Sequence, residues 1–346
     1  MKKQISLLGL ALSSTLLVAC GGGGSSDDAT ISTPPNVPNE TISPELSEEF
    51  VPFEDQSILD KVRDKITGDR SNETDYNVAL GHMVGEVFAD YPYGRTGRLV
   101  QIYNLGLNSI KFPNRLCAEV ITNGSVKTLS LKQDKENCII LDKTYRQGSS
   151  ITQTVNGDTT TLKFTNVRYG SNVDFSLKDD YLISGSISYR ETTTTAGKEK
   201  AYQVDQLEFQ RVSKDANAPA GGTNYNETSK EYLQVRNYNY RLADEYGSGS
   251  NGIRTLTTSG TIIGQPYQAD FRYSFNFETT TPFKMAETIS NNYKHLPTEG
   301  NLKIRDTYNQ MIDVRQNQPE SLKATVYFNG SEIADLYWST IIGDKK

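Results

Sequence analysis

Hydrophobic and polar residues alternate with a period of two over most of the chain after Gly94, the pattern of β-strands with one buried face. The clearest example has four aromatic residues on one face and three polar residues on the other. The aromatic face consists of Phe271, Tyr273, Phe275 and Phe277, and the polar face of Arg272, Ser274 and Asn276. Two further stretches alternate in the same way, around Leu207 and Phe209 and around Leu336 and Trp338. The pattern predicts antiparallel strands with one dry face and one wet face.

A helical period precedes these strands, within residues 53–92. Four apolar residues recur at helical spacing, with Asp55 or Ser57 as the N-cap and Gly68 as the stop. They are Ile58, Leu59, Val62 and Ile66. A similar spacing runs from Leu80 to Phe88, until Tyr91-Pro92 breaks it. We expect two short amphipathic helices, followed by a β domain over residues 93–346.

Turn signals separate the strands. Four Asn-Gly dipeptides predict tight hairpins, because the central residues of such turns need positive φ. They are Asn123-Gly124, Asn156-Gly157, Asn251-Gly252 and Asn329-Gly330. The expected fold is mainly β: one large, curved antiparallel sheet, as an open barrel or a two-layer structure, with the helices over one mouth or face.

A weak internal repeat lies within the β region. The segment Ser184-Gly185-Ser186-Ile187 is matched 75 residues later by Ser259-Gly260-Thr261-Ile262, and Glu299-Gly300-Asn301-Leu302 is a poorer third copy. The repeat indicates duplication of a sheet unit. Chance matching is the alternative, because strands use a small set of residue types.

The first nineteen residues have the features of an export signal. Lys2 and Lys3 precede an apolar run from Ile5 to Val18. This run is shorter than the roughly 20 residues that a membrane-spanning helix needs, and no later run reaches that length.

Residues 17–20, with the sequence LVAC, resemble the lipobox of bacterial lipoproteins. The resemblance covers only this end of the chain. It implies cleavage before Cys20, a diacylglyceryl thioether on its sulfur and acylation of the new amino terminus. Because Gly21 is not acidic, it also implies placement in the outer membrane. An ordinary signal peptide with an incidental cysteine is the alternative.

Residues 20–52 form the lipidated cysteine and a linker rich in Gly, Ser, Pro and Asn. Such a composition cannot bury enough apolar surface to order the chain. We therefore expect a flexible tether between the lipid and the folded body.

The charge of the chain argues against nucleic acid as a partner. The formal net charge is −6, and removing the two lysines of residues 1–19 makes it −8. Phosphate backbones attract clustered Lys and Arg, so an acidic chain lacks the matching field.

Cys117 and Cys138 remain after the anchor cysteine and would be exported to a compartment that permits disulfides. A bridge between them would require residues 132–137 to fold back beside Cys117, because a simple three-strand meander would hold them about 10 Å apart. Two buried free thiols are the alternative.

Catalytic and metal-binding signals are weak. His82 and Glu86 have the i, i+4 spacing of two ligands, but no other His or Cys lies near them, so an exposed helix-face pair is favoured. His295 has no partner in sequence either. The neighbouring acids Asp179-Asp180 and Asp244-Glu245 point to opposite faces of a strand rather than flanking a bond. No cofactor, metal or catalytic residue is expected.

Three hypotheses for function follow. The first is a non-enzymatic binding lipoprotein that holds a lipid or other apolar ligand at Phe271, Tyr273, Phe275 and Phe277. The second is an envelope or surface module in which the sheet packs on itself and its polar face or long loops contact a protein or a glycan. The tyrosine-rich segment 225–246 has side chains of the type that line ligand slots and protein contacts, but half-buried strand positions are the favoured interpretation of it. A hydrolase using scattered carboxylates is the least favoured.

Overall fold

The computed structural model describes residues 57–68, 98–171, 179–213, 229–245, 252–265, 273–286, 297–319 and 321–341. Three helices lie in these ranges: α1 (Ile58–Thr67), α2 (Arg98–Lys111) and α3 (Trp338–Ile341). The predicted second helix, residues 80–88, and residues 1–56 lie outside the described residues.

Fifteen strands form one antiparallel sheet that is not closed. The strands are β1 (Ala118–Asn123), β2 (Val126–Leu131), β3 (Asn137–Ile140), β4 (Lys143–Arg146), β5 (Ser150–Asn156), β6 (Thr159–Ser171), β7 (Asp179–Thr193), β8 (Gly197–Ser213), β9 (Ser229–Glu245), β10 (Ile253–Gln265), β11 (Tyr273–Ala286), β12 (Glu299–Asp306), β13 (Met311–Gln316), β14 (Lys323–Phe328) and β15 (Ser331–Tyr337). From β5 to β15 each strand pairs with its neighbours in sequence, and β2 pairs with β5. The predicted fold class is confirmed.

Helix α1 forms where its sequence predicts. The Ser57 hydroxyl accepts a hydrogen bond from the Asp60 amide (3.1 Å), and the Gly68 amide donates to the Asp64 carbonyl at the other end (2.8 Å). Ser57 also donates to the buried Asp306 carboxylate at the end of β12. The apolar stripe of α1 is buried, so the cap residue joins the helix to the sheet.

Helix α2 corrects the expectation that the period of two begins directly after Gly94. Residues 98–111 are helical, and the buried face of α2 packs on β2, β5 and β6. Gly106 allows this close approach, because a Cβ there would lie 2.8 Å from the Phe164 ring. The Tyr103 ring contacts Tyr189 and Tyr202 at centroid distances of 5.3 and 5.8 Å. We call the face of the sheet under α1 and α2 the core face, and the other the opposite face.

The hairpin β3–β4 stands beside the main order of strands, since β4 pairs with the end of β6. The Cys117–Cys138 disulfide ties it to the turn before β1, with a Cα–Cα distance of 5.3 Å. The Lys132 amide donates to the Cys117 carbonyl (3.0 Å), as the predicted fold-back of residues 132–137 requires. The predicted bridge is therefore confirmed.

The predicted hairpins form at three of the four Asn-Gly dipeptides. Asn329 and Gly330 both have positive φ and are the two central residues of the β14–β15 turn. In the β1–β2 and β5–β6 turns, Gly124 and Gly157 are instead the first of two central residues. Asn251 of the fourth dipeptide lies outside the described residues, and the pairing of Glu245 with Ile253 leaves seven residues between β9 and β10.

The three copies of the weak repeat share a backbone feature. Gly185, Gly260 and Gly300 all have positive φ, at 118°, 158° and 146°. A Cβ at Gly185 would overlap the Gln206 carbonyl oxygen, and one at Gly300 would overlap the Phe283 ring. The recurrent glycine therefore allows a neighbouring strand or ring to approach the backbone closely.

The alternation of dry and wet faces fails at the centre of the sheet. Leu207 and Phe209 are buried on the core face as predicted. On the opposite face, however, Glu208, Gln210 and Gln234 are only 3, 7 and 5% exposed. The expectation of a wet opposite face is wrong there, because apolar side chains are buried on one side of β8 and β9 and polar side chains on the other.

Candidate functional site

The structure describes two of the four aromatic side chains of the predicted ligand site. Phe271 lies outside the described residues, and Tyr273 is described by its backbone only. Phe275 and Phe277 are 1 and 3% exposed, and their ring centroids lie 6.1 Å apart. Phe277 also contacts the Tyr238 ring at 6.1 Å. These two rings are packed by neighbouring side chains of the core face.

Of the other candidate catalytic and metal-binding residues, the structure describes the side chains of Asp244 and Glu245. Cys20, His82, Glu86 and His295 lie outside the described residues, and the side chains of Asp179 and Asp180 are not described. Asp244 forms an ion pair with Arg254 (2.5 Å), and Glu245 is exposed at the end of β9. These two neighbouring acids therefore differ in environment and share no site.

The described tyrosines of the segment 225–246 belong to the core. Tyr232, Tyr238 and Tyr240 are 4, 1 and 1% exposed. The Tyr240 ring contacts both Tyr238 and Tyr202. Half-buried strand positions are the interpretation that the sequence favours for this segment, and these three tyrosines are buried more completely than that.

A cleft of about 670 Å³ crosses β7 to β11, and most of its lining residues have polar side chains, beside Ala201, Tyr202 and Tyr240. We call it the polar cleft. Its charged and amide-bearing lining residues are Arg190, Glu199, Gln203, Asn239, Arg241 and Glu278, with Thr257 and Ser259 beside them. The volume lies in the range of ordinary ligand sites.

The strand register places these side chains side by side. Gln203 is opposite Asn239 in the β8–β9 ladder, and Asn239 is opposite Ser259 in the β9–β10 ladder. The Gln203 amide donates to the Asn239 side-chain oxygen at 3.5 Å, so this pair is held only loosely. The donors and acceptors of Gln203 and Asn239 can therefore form hydrogen bonds to a ligand instead of to each other.

An ion-pair group closes one end of the polar cleft. Glu199 accepts from Arg241 at 2.6 Å and from Arg190 at 3.1 Å. The hydrogen bond from Arg241 holds the pKa of Glu199 below its ordinary value, and the same contact raises the pKa of Arg241. Glu199 and Arg241 therefore both stay charged near neutral pH, so the arrangement suits binding better than proton transfer.

Glu208 lies at the centre of the opposite face. Among the described residues, it is the one carboxyl group there whose pKa clearly departs from its ordinary value. Burial raises its pKa, against the hydrogen bonds from Gln234 and Gln206. Both amides donate to Oε1, whereas Oε2 has no hydrogen-bond partner. The buried Ser184 hydroxyl directly opposite in the β7–β8 ladder also has none. This pair therefore leaves two buried polar atoms of the sheet without a hydrogen bond.

Sequence reasoning missed the polar cleft and Glu208. Each charged or amide-bearing residue of the cleft is an ordinary polar position on the outward side of a strand, and the lining extends from Arg190 to Thr279 in sequence. Only the register of five strands brings them together. The single usable signal was the alternation itself, which places Gln203 and Asn239 off the apolar face.

No protein-family model, curated protein or solved structure matches this chain. None of the helices that the structure describes is long and apolar enough to span a bilayer. Within the described ranges, no three His, Cys, Asp or Glu side chains come together as a metal site.

Proposed function

We propose that this protein is a lipid-tethered, non-enzymatic binding module of the cell envelope, and that its polar cleft binds a hydrophilic partner. The observation that carries the proposal is the contrast between the two sides of the sheet. The Phe275, Phe277 and Tyr238 rings on the core face are packed against each other, while a cleft of ligand size has charged and amide groups in its lining beside the Tyr202 and Tyr240 rings. A hydrophilic ligand fits the second environment.

A glycan is the partner class that fits the lining best. Gln203, Asn239, Thr257 and Ser259 each carry both donor and acceptor capacity, which matches the hydroxyl groups of a sugar. The Arg190 and Arg241 guanidinium groups would add contacts to acidic or hydroxyl substituents. A polar surface of an envelope protein is the alternative partner.

The hypothesis of an apolar ligand at Phe275 and Phe277 stays a prediction with less support. Each of these rings already contacts another aromatic ring, so a ligand there would have to displace core packing. Native mass spectrometry of protein purified from membranes tests it directly, and a co-purifying lipid would restore this hypothesis.

The tether rests on the sequence of residues 17–20 and has its own test. Replacing Cys20 by Ser should remove the lipid mass and release the protein from the membrane fraction. Unchanged fractionation of the Cys20→Ser variant would contradict the proposed anchor.

The polar cleft is tested by glycan-array screening of the lipid-free protein, followed by titration of any glycan that binds. Asn239→Ala or Arg241→Ala should weaken binding by about 10–100-fold, as expected for the loss of a hydrogen bond to a sugar or to its acidic group. Arg305→Ala removes an exposed arginine of β12 outside the cleft and should leave the affinity unchanged. Equal losses in the cleft variants and this control would contradict the proposed site.

A further inference from the structure

Four exposed apolar side chains gather around the disulfide at the β3–β4 end of the sheet. Phe112, Leu116, Ile139 and Leu141 are 63, 82, 44 and 41% exposed. Phe112 directly follows α2, Leu116 precedes Cys117, and the other two follow Cys138. Single exposed apolar residues are common on protein surfaces, but here four belong to one cross-linked element.

This element is rigidly held. The Cys117–Cys138 bridge joins its two segments, and the Asn114 amide donates to the Ile139 carbonyl at 3.1 Å. The Lys132 ammonium donates to the Arg115 carbonyl at 2.8 Å. Leu141 lies at the tip of the β3–β4 hairpin with a φ of 48°, a conformation that usually selects Asn or Gly. An apolar residue is therefore presented at a tip where the backbone favours a polar one.

A groove of about 640 Å³ lies beside these side chains, between the end of α2 and the β1–β2 ladder. Its charged lining consists of Lys111, Arg115, Lys127 and Lys132, against Glu119 alone. Four positive groups and one negative group give a local charge of +3 in a chain whose net charge is −6. We call the groove and the four apolar side chains the clasped corner.

The positive charge outweighs the opposing field of the helix. The carboxyl end of α2 points toward the groove and carries roughly half a negative charge. Lys111 in the last turn offsets that partial charge, and three further cations remain against Glu119. The groove is therefore attractive to anions at ordinary ionic strength.

We propose that the clasped corner docks onto an anionic phospholipid surface. Phosphate groups lie against the basic groove, while Phe112, Leu116 and Leu141 enter the boundary between headgroups and acyl chains. These apolar side chains stand on a helix end, a turn and a hairpin tip. Side chains on such separate protrusions enter the deformable headgroup region of a bilayer more readily than they form one flat contact with a protein. Local positive charge meets the negative lipid surface, and the docking would orient a body already held near the membrane by the proposed anchor.

The test uses the mature chain, residues 20–346, with Cys20→Ser, so that the corner is measured without the lipid. Cosedimentation should show binding to vesicles that contain phosphatidylglycerol, weaker binding to pure phosphatidylcholine vesicles, and weakening by salt. Because each cation near an anionic surface changes the partition coefficient by about five-fold, Lys111→Gln with Arg115→Gln and Lys127→Gln should lower it roughly 100-fold. Lys132 is kept because it holds the Arg115 carbonyl.

A matched control removes three exposed cations elsewhere: Lys61→Gln, Lys284→Gln and Arg305→Gln. It lowers the net charge equally and should retain far more binding than the corner variant. A separate variant, Phe112→Ser with Leu116→Ser, keeps the charge and should also weaken binding. Because all these side chains are exposed, the thermal transitions should stay close to that of the parent, which separates lost binding from lost folding.

Absence of binding to anionic vesicles, or equal losses in the corner variant and the matched control, overturns the proposal. Equal binding to both vesicle types overturns its electrostatic part. These outcomes are independent of the anchor, because the Cys20→Ser chain carries no lipid. Failure of the anchor would instead appear as unchanged fractionation of that variant in cells.

Discussion

Replacing Glu208 by Gln should stabilise the folded protein at neutral pH. The side chain is 3% exposed at the centre of the opposite face, and burial raises the pKa of its carboxyl group. Glutamine has nearly the same shape, keeps an oxygen for the Gln206 and Gln234 amides, and brings an NH₂ group to the position of the unpartnered Oε2. The Ser184 hydroxyl opposite is a ready acceptor.

The expected gain in the free energy of unfolding follows from the hydrogen bond that Oε2 of the ionised carboxylate lacks. A buried polar atom without a partner costs about 1–3 kcal/mol, and more if it is charged. In terms of protonation, each unit by which the folded-state pKa exceeds the unfolded value corresponds to about 1.4 kcal/mol at neutral pH. The nearby Arg236 charge opposes the shift. We therefore expect the free energy of unfolding to rise by about 1–3 kcal/mol in Glu208→Gln.

The sign of the pH dependence makes the prediction specific. Because the folded state holds this proton more tightly than the unfolded state, the wild type gains stability as the pH falls through the folded-state pKa toward 4.5, the ordinary value. The advantage of Glu208→Gln should therefore shrink over the same range. Urea unfolding at several pH values measures both quantities, with Glu332→Gln as a control at an exposed position of β15.

Two results would refute this reasoning. If Glu208→Gln lowers the free energy of unfolding at neutral pH, the ionised carboxylate must be stabilised in a way that its described contacts do not provide. If the difference from wild type is the same at every pH, Glu208 does not titrate as a buried acid.

Two further predictions concern the backbone and the bridge. Replacing Cys117 and Cys138 together by Ser should lower the free energy of unfolding by about 3 kcal/mol, the loop-closure estimate for a sequence separation of 21, and reducing agent should have no further effect on the variant. Gly300→Ala should destabilise by more than 1 kcal/mol, roughly the cost of its positive φ alone, because its Cβ would also overlap the Phe283 ring. Gly330→Ala has positive φ without any nearby atom, so thermal unfolding that shows equal losses in the two variants would contradict the packing argument.

The sequence by itself determined the local elements with strong signals. In α1 the apolar spacing, the Ser57 cap and the Gly68 stop all lie within twelve residues, and they agree with the structure. The alternation of Leu336 with its exposed neighbours Asp335 and Tyr337 predicted the buried side of β15, and Trp338, the first residue of α3, is buried as well. The disulfide was also predictable, because the only two cysteines after the proposed anchor are close in sequence.

Tertiary structure decided the features whose partners are distant in sequence. Residues 98–111 contain β-branched residues and Gly106, which weaken a helical pattern, and the close contact of Gly106 with the Phe164 ring explains that glycine. Glu208 looks like a solvated position from its neighbours alone, yet it is buried together with Gln210 and Gln234.

The same limit applies to the candidate sites. Gln203 and Asn239 meet in the polar cleft, and Lys111 and Lys127 in the clasped corner, because of strand register and helix packing. Periodicity in a sequence records which side of an element is apolar. It does not record which polar sides will face each other, because that depends on contacts formed only when the whole sheet is assembled.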